Sequence, residues 1–153
     1  IMDGSGSAGN DFIGPVDVDL LPPTGDGNYT AWTPNTGTRW DAVNDADPDG
    51  DTTRIETATV GNKNTFTHGS LPAGSSAVKA AAVWARARRD DATTRSFKIL
   101  LRSSSTDNLG GVEHFLGDTY QWFFQPYEIS PFTSTAWTIS ELNSCEFGVQ
   151  VIS

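Results

Sequence analysis

Strict alternation of side chains constrains this chain more than any other feature. In AVKAAAVWARARR, residues 77–89, Ala81, Val83, Ala85 and Ala87 share one side, with Trp84, Arg86 and Arg88 on the other. The alanines alone would favour a helix. A period of two held to Arg89 does not fit a helix, whose faces recur every ~3.6 residues; it fits a strand. SFKILLRS, residues 96–103, repeats the pattern, with Phe97, Ile99 and Leu101 against Lys98 and Arg102. With DDATT as a tight connection, the two runs predict a long β-hairpin whose outer face carries Arg86, Arg88, Lys98 and Arg102. A third run, CEFGVQVI, points Cys145, Phe147, Val149 and Val151 inward.

Weaker signals fill the rest. PVDVDLLP alternates Val16, Val18 and Leu20 with Asp17 and Asp19, which predicts a half-buried strand. NYTAWTP (28–34) and RWDAV (39–43) read as short strands around the turn Pro34-Asn35-Thr36-Gly37. TTRIETATV (52–60) is rich in β-branched residues, and after Gly61-Asn62 a strand continues to His68. Residues 112–129 hold Phe115, Tyr120, Trp122, Phe123, Phe124 and Tyr127. Three consecutive rings at 122–124 predict a strand buried on both faces, or one packed on a neighbouring chain. Pro126 pushes that strand to an edge or ends it. Thr138-Ile139-Ser140-Glu141 is a T-x-x-E capping box, predicting one short helix over 138–143.

Composition agrees with many short strands. Only 37% of the 153 residues are hydrophobic, and there are 15 glycines. The expected fold is all-β: an antiparallel β-sandwich, jelly-roll-like, with one short helix near the C-terminus. Residues 1–14 read as a Gly/Ser-rich N-terminal linker or arm, and 15–153 as a single β-sandwich domain. The literal G-x-G-x-x-G at Gly4, Gly6 and Gly9 lacks a βαβ setting, and Pro15 stands where a helix would run. IMDGSGSAGND has no basic region followed by an apolar run, so it does not read as a signal peptide. A start at Ile1 suits a processed product or an excised domain.

A net charge of −9 disfavours nucleic acid and anionic membranes as partners. No stretch approaches the ~18 apolar residues of a membrane span. Cys145 is the one cysteine, so no internal disulfide forms, and it reads as buried and structural.

NDADPDGDTTRIE, residues 44–56, carries Asp45, Asp47, Asp49, Asp51, Gly50 and Glu56 in the spacing of an EF-hand calcium loop. Pro48 stands at the fourth loop position, and strand-like flanks replace the expected helices. The stretch therefore reads as an acidic inter-strand turn, with a non-EF calcium site through those five acids as the alternative. No other cofactor is expected.

Five tryptophans among 153 residues suit either a sugar-stacking platform or packing in a core and between subunits. Trp84 is the one most expected in solvent, because it shares a face with two arginines. Neither G-x-S-x-G nor H-E-x-x-H occurs, and Glu113-His114 is an isolated pair. No enzymatic function is expected. The basic hairpin stripe would dock an acidic neighbour or pair with the chain's own acids.

Several stretches act together: Asn10-Asp11-Phe12-Ile13-Gly14, NYTAWTP (28–34), DGDTT (49–53), ARARRDDATTRS (85–96) and AWTISELNSCEFGVQV (136–151). In this order, over nearly the whole chain, they resemble a family of tailed-bacteriophage and prophage virion structural proteins. The resemblance implies a non-enzymatic virion component, such as a capsid-decoration or tail/fibre domain, with other virion proteins and copies of itself as partners. In longer members a concanavalin A-like sandwich lies upstream and this region is the C-terminal β module; IMDGSGS looks like that junction. The family supplies no catalytic or ligand residues. Its acidic turn runs Pro-Asp-Asp-Asp-Thr-Thr, whereas Gly50 interrupts it here, so the calcium-like spacing is partly local to this chain. Candidate assembly contacts are Trp84, Arg86, Arg88, Tyr120, Trp122, Phe124 and Tyr127. The alternative expectation is a carbohydrate-binding module for attachment to a host glycan.

Overall fold

Strands form at three of the alternating runs, those within 77–89, 96–103 and 145–152. The computed structural model describes residues 16–153. In chain order its strands are β1 (Pro23–Thr30), β2 (Thr33–Pro34), β3 (Ile55–Glu56), β4 (Lys63–His68), β5 (Ala81–Ala87), β6 (Ser96–Ser103), β7 (Thr106–Leu109), β8 (His114–Phe115), β9 (Gln121–Tyr127) and β10 (Cys145–Val151). One turn of 3-10 helix spans Asp41–Val43, and one α-helix, α1, spans Ile139–Ser144.

The main sheet runs β1-β4-β10-β6-β7, and β8 lies beside the start of β6. All its pairings are antiparallel. On β10, Phe147 stands opposite Phe66 on one side and Leu101 on the other, and Val149 stands opposite Asn64 and Ile99. Opposed residues share a face, so Cys145, Phe147, Val149 and Val151 join Phe97, Ile99 and Leu101 on one apolar surface. That is the inward set that alternation predicts. Gly148 lets β4 approach closely, because a Cβ there would overlap the carbonyl oxygen of Asn64.

β5 and β9 form a second layer and, among the described residues, pair only with each other, from Ala81 opposite Tyr127 to Ala87 opposite Gln121. The small inner residues Ala81, Val83 and Ala85 let this ribbon pack closely on the main sheet. Phe123 meets Phe97 edge to face at 5.2 Å. Tyr127, Leu101, Trp137 and Cys145 form the buried cluster between the layers. The Trp137 indole donates to the Tyr127 carbonyl at 3.0 Å. The chain passes from layer to layer repeatedly, β4 to β5, β5 to β6, β8 to β9 and β9 to β10. The fold is therefore an all-β antiparallel sandwich with one short helix near its C-terminus.

That helix begins at the predicted box. Thr138 Oγ1 accepts from the Glu141 amide at 3.1 Å. The reciprocal half of the box is not used, since the Glu141 carboxylate accepts from Ser130 Oγ instead. Burial pushes the Cys145 thiol up to about 11, with the nearby Glu141 charge adding to it and a hydrogen bond from Ser103 opposing it.

Several expectations are corrected. The hairpin over 77–103 does not form, although both of its strands do. β5 pairs with β9, and β6 pairs with β10, β7 and β8. Alternation identifies a strand and its faces but carries no information on its partner. The basic stripe is consequently split, with Arg86 and Arg88 on the ribbon and Lys98 and Arg102 on the main sheet. Residues 16–20 are an exposed, irregular segment, not a half-buried strand. RWDAV bends into the 3-10 turn, with Ala42 donating to the Thr38 carbonyl at 3.0 Å. Of TTRIETATV only Ile55 and Glu56 pair as a strand. Trp122 and Phe124 are exposed, so β9 is not buried on both faces. Pro126 sits within β9, which among the described residues has no strand on its other side. The linker at 1–14, with its glycine motif and Asn10–Gly14, lies outside the described residues, as does Pro15.

Candidate functional site

Because β5 and β9 alternate in register, every second residue of each faces away from the core. Trp84 stands opposite Phe124, and Arg86 opposite Trp122. Trp84 and Phe124 stack with centroids 4.8 Å apart and an interplanar angle of 21°. Trp122 meets Trp84 edge-on at 6.4 Å. The rings stay open to solvent: Trp84 is 57% exposed, Trp122 56% and Phe124 50%. Contiguous exposed rings of this kind mark recognition surfaces more often than chance exposure. Beside them an open cleft of ≈ 390 Å³ is lined by Val112, His114, Trp122, Phe123, Phe124, Gln125 and Pro126. His114 lies 5.3 Å from the Phe97 ring and 5.2 Å from Phe123, and burial lowers its pKa. His114 Nε2 and Gln125 Oε1 are buried without a hydrogen-bond partner among the described residues.

The acidic turn closes one end of this face. It connects β2 and β3, which pair through Thr33–Glu56 and Pro34–Ile55. Asn35 fastens its base, donating to the Asp51 and Thr52 carbonyls and accepting from the Arg54 amide at 2.9 Å. Arg86 donates to the Pro48 carbonyl at 2.6 Å, and Arg88 donates to Asp51 Oδ1 at 2.9 Å. The Tyr120 hydroxyl donates to the same Asp51 oxygen at 2.9 Å, under guanidinium groups 5.1 and 5.3 Å from its ring. Hydrogen bonds from Arg88 and then Tyr120 hold the Asp51 carboxyl below its usual range, and the same contact with Asp51 raises Arg88.

The five acids of the calcium-like spacing do not converge on one point. Asp45 and Asp49 both accept from Thr53 Oγ1, at 3.0 and 2.9 Å. Asp51 holds Arg88 and Tyr120, while Glu56 pairs with Arg54 at 3.1 Å. Asp47 is exposed. Among the described residues no group of three or more His, Cys, Asp or Glu side chains is placed to hold a metal ion.

Of the candidate assembly residues, Trp84, Arg86, Trp122 and Phe124 share the outer ribbon face, with Arg88 and Tyr120 at its end. Tyr127 does not join them. It faces inward and is buried, and burial pushes its phenol up to about 12. Odd and even positions of β9 face opposite ways, which separates Tyr127 from Phe124.

Sequence reasoning missed a second polar cluster. Asp107 is held by Lys63 at 2.7 Å, by Arg102 at 2.6 Å and by the Tyr29 hydroxyl at 2.9 Å. Two cations lie over the Tyr29 ring, Lys63 at 4.8 Å and Arg102 at 5.0 Å. Glu146, opposite Arg102 on β10, accepts from Thr65 Oγ1 at 2.7 Å and the Asn28 amide at 2.8 Å. These contacts tie β1, β4, β6, β7 and β10 together. The available signal was an Arg102/Asp107 pair bracketing the turn at Ser104-Ser105, where Ser104 takes φ 54°.

The chain matches no family model, no curated protein and no solved structure among those compared with it.

Proposed function

We propose that the chain is a non-enzymatic structural component of a tailed-phage virion, a surface-exposed capsid-decoration or tail/fibre β-sandwich domain that mediates assembly. Its partners on this reading are other virion proteins and copies of itself. One observation carries it: Trp84, Trp122 and Phe124 sit side by side in solvent on a ribbon whose other face is packed. Such rings favour contact with another surface. The ordered motif resemblance supplies the kind of particle. Immunogold labelling of purified particles tests it. Gold over the head is expected of a decoration protein, and gold at the tail tip or fibres of a host-contact domain. Particles without gold would overturn the reading.

The stacked, open pair of Trp84 and Phe124 favours a second reading, a carbohydrate-binding module for host attachment. Flat exposed rings fit the apolar faces of pyranoses, and the adjacent cleft has room for a sugar ring. A glycan array with the wild type and Trp84→Ala tests this. Binding lost in the variant supports it, and a blank array removes it.

A further inference from the structure

Three rings close the edge between the two layers, and one of them can take a proton. His114 on β8 stands opposite Phe97 on β6, so the two share the inward face. The imidazole lies 5.3 Å from the Phe97 ring and 5.2 Å from Phe123 of β9, and Phe97 meets Phe123 at 5.2 Å. The main sheet and the ribbon thus touch here through two phenyl rings and a histidine. His114 is also the inward anchor of its own segment. Gly111 is exposed, Val112 is 52% exposed and Phe115 62%, and β8 pairs over two residues. Of residues 111–115, only His114 sets a ring against both layers.

The slot suits the neutral ring. His114 Nε2 is buried with no hydrogen-bond partner among the described residues. A tautomer with its proton on Nδ1 leaves only a lone pair there, whereas the imidazolium must bury an N–H without an acceptor. The surrounding elements supply no carboxylate to offset the charge. Lys98 of β6 points to the opposite face of the sheet. Arg95, before β6, pairs with Asp91 at 2.8 Å. Glu113 accepts from Ser96 Oγ at 2.6 Å, and Asp118 is exposed. On β9, Gln121–Tyr127 carries no charged residue, and burial keeps the Tyr127 phenol neutral. Gln125 Oε1 is itself buried without a partner. Burial accordingly lowers the His114 pKa.

We infer that His114 is an acid-sensitive latch between the layers: neutral, it closes the edge, and protonated, it leaves the slot and residues 110–116 lift away from β6 and β9. Linkage gives the sign. The open segment takes its proton at the ordinary histidine value of ~6.5, and the closed one only at lower pH. Closure is therefore at full strength above ~6.5 and weakens as pH falls from there to the folded value, by up to about tenfold per pH unit. Opening uncovers the Phe97–Phe123 contact next to the exposed rings of Trp122 and Phe124, so acid enlarges the apolar face. The latch does not depend on what that face binds.

Hydrogen exchange read by NMR between about pH 7.5 and about pH 5 tests it, with each rate expressed as protection relative to the unfolded chain at the same pH. The Gly110 amide donates to the Ile99 carbonyl and the Leu116 amide to that of Arg95, so they report the two ends of the segment. In the wild type their protection is expected to fall at least several-fold toward the acid end. The Ala31 amide, bonded to the Lys63 carbonyl, is expected to keep its protection. His114→Phe keeps a ring and removes the proton site, and its segment is expected to stay equally protected across the range. His114→Leu serves if the larger ring overfills the slot. Level protection in the wild type overturns the inference, and so does an equal fall in the variants. A parallel fall at Ala31 overturns it too, since the whole sheet would then be loosening. Titration of the His114 ring proton signals in the wild type needs no variant. A midpoint below ~6.5 is expected. A midpoint at or above it overturns the latch, because the closed slot would then accept the imidazolium.

Discussion

Asp51 in the acidic turn and Arg88 beyond the end of β5 stand 2.9 Å apart, and Tyr120 completes the contact from the other strand of the ribbon. A turn that sequence spacing offers as a metal loop is instead strapped to the aromatic face. Replacing Arg88 with Gln removes the charged half of the strap. Trypsin is then expected to cut after Arg54 several-fold faster than in the wild type, while cleavage after Arg102 is unchanged. Equal rates at Arg54 would mean that Asn35, Arg86 and Tyr120 hold the turn without Arg88.

Asp45 and Asp49 meet at Thr53 Oγ1, while Asp51 and Glu56 are paired with Arg88 and Arg54, so among the described residues no three of these acids are gathered round one point. Calcium wants ~6–8 oxygens around one point. Thermal melts in millimolar calcium and in excess chelator are expected to superimpose. A melting temperature several degrees higher in calcium would restore the metal reading.

The Asp107 cluster makes a signed prediction about pH. Burial raises the Asp107 pKa, but hydrogen bonds from Lys63, Arg102 and Tyr29 outweigh it and leave it below the usual value. Its contribution is therefore present above the unfolded value of ~3.9 and lost as pH falls through the folded one. Lys63 shifts up, chiefly through its hydrogen bond to Asp107. That contribution is present below ~10.4 and lost as pH rises through the folded value. Asp107→Asn is expected to cost about 1–3 kcal/mol near neutrality, with Lys63 and Arg102 losing their partner. It should also flatten the acid limb of stability below about pH 5. Urea denaturation at a series of pH values measures both. Parallel curves for variant and wild type would assign the acid limb to other carboxylates.

Gly148→Ala tests the tight crossing of β4 and β10. The new Cβ meets backbone, which cannot swing aside as a side chain tip can. The expected loss is about 3 kcal/mol or more, beyond ordinary overpacking. Gly69→Ala is the control, because nothing lies within 4 Å of its added Cβ. Equal denaturation midpoints for the two would show that the sheet yields at little cost.

Local signals were legible in the sequence and pairing was not. β6 and β10 follow from alternation, β4 from the strand-like run after the Gly61-Asn62 turn, and α1 from the Thr138 cap, all of which act between near neighbours. That β5 would leave β6 for β9 depends on which apolar faces meet in space, and Arg89–Arg95 gives no local hint of it. RWDAV has strand-like composition, yet Asp26, donating nothing and accepting from the Trp40 amide at 3.2 Å and Arg39 at 3.2 Å, draws it into a turn against β1. Trp84, Arg86 and Arg88 were readable as an outward row because faces alternate, whereas Trp122 stood in a run of three rings that hides its parity. Tyr127 shares its inward parity on β9 with Phe123 and not with Trp122 and Phe124. Tyr29, Lys63 and Asp107 lie on three strands, and only the assembled sheet brings them together.

Cys145 has a practical consequence. A thiol shielded between the layers and pushed up to about 11 carries little thiolate at neutral pH and reacts slowly with alkylating reagents. The native chain is thus already blank for thiol labelling. A single cysteine placed at Val18 or Trp84 would take a maleimide dye alone, so two labelled populations could report the distance between copies without first altering the core.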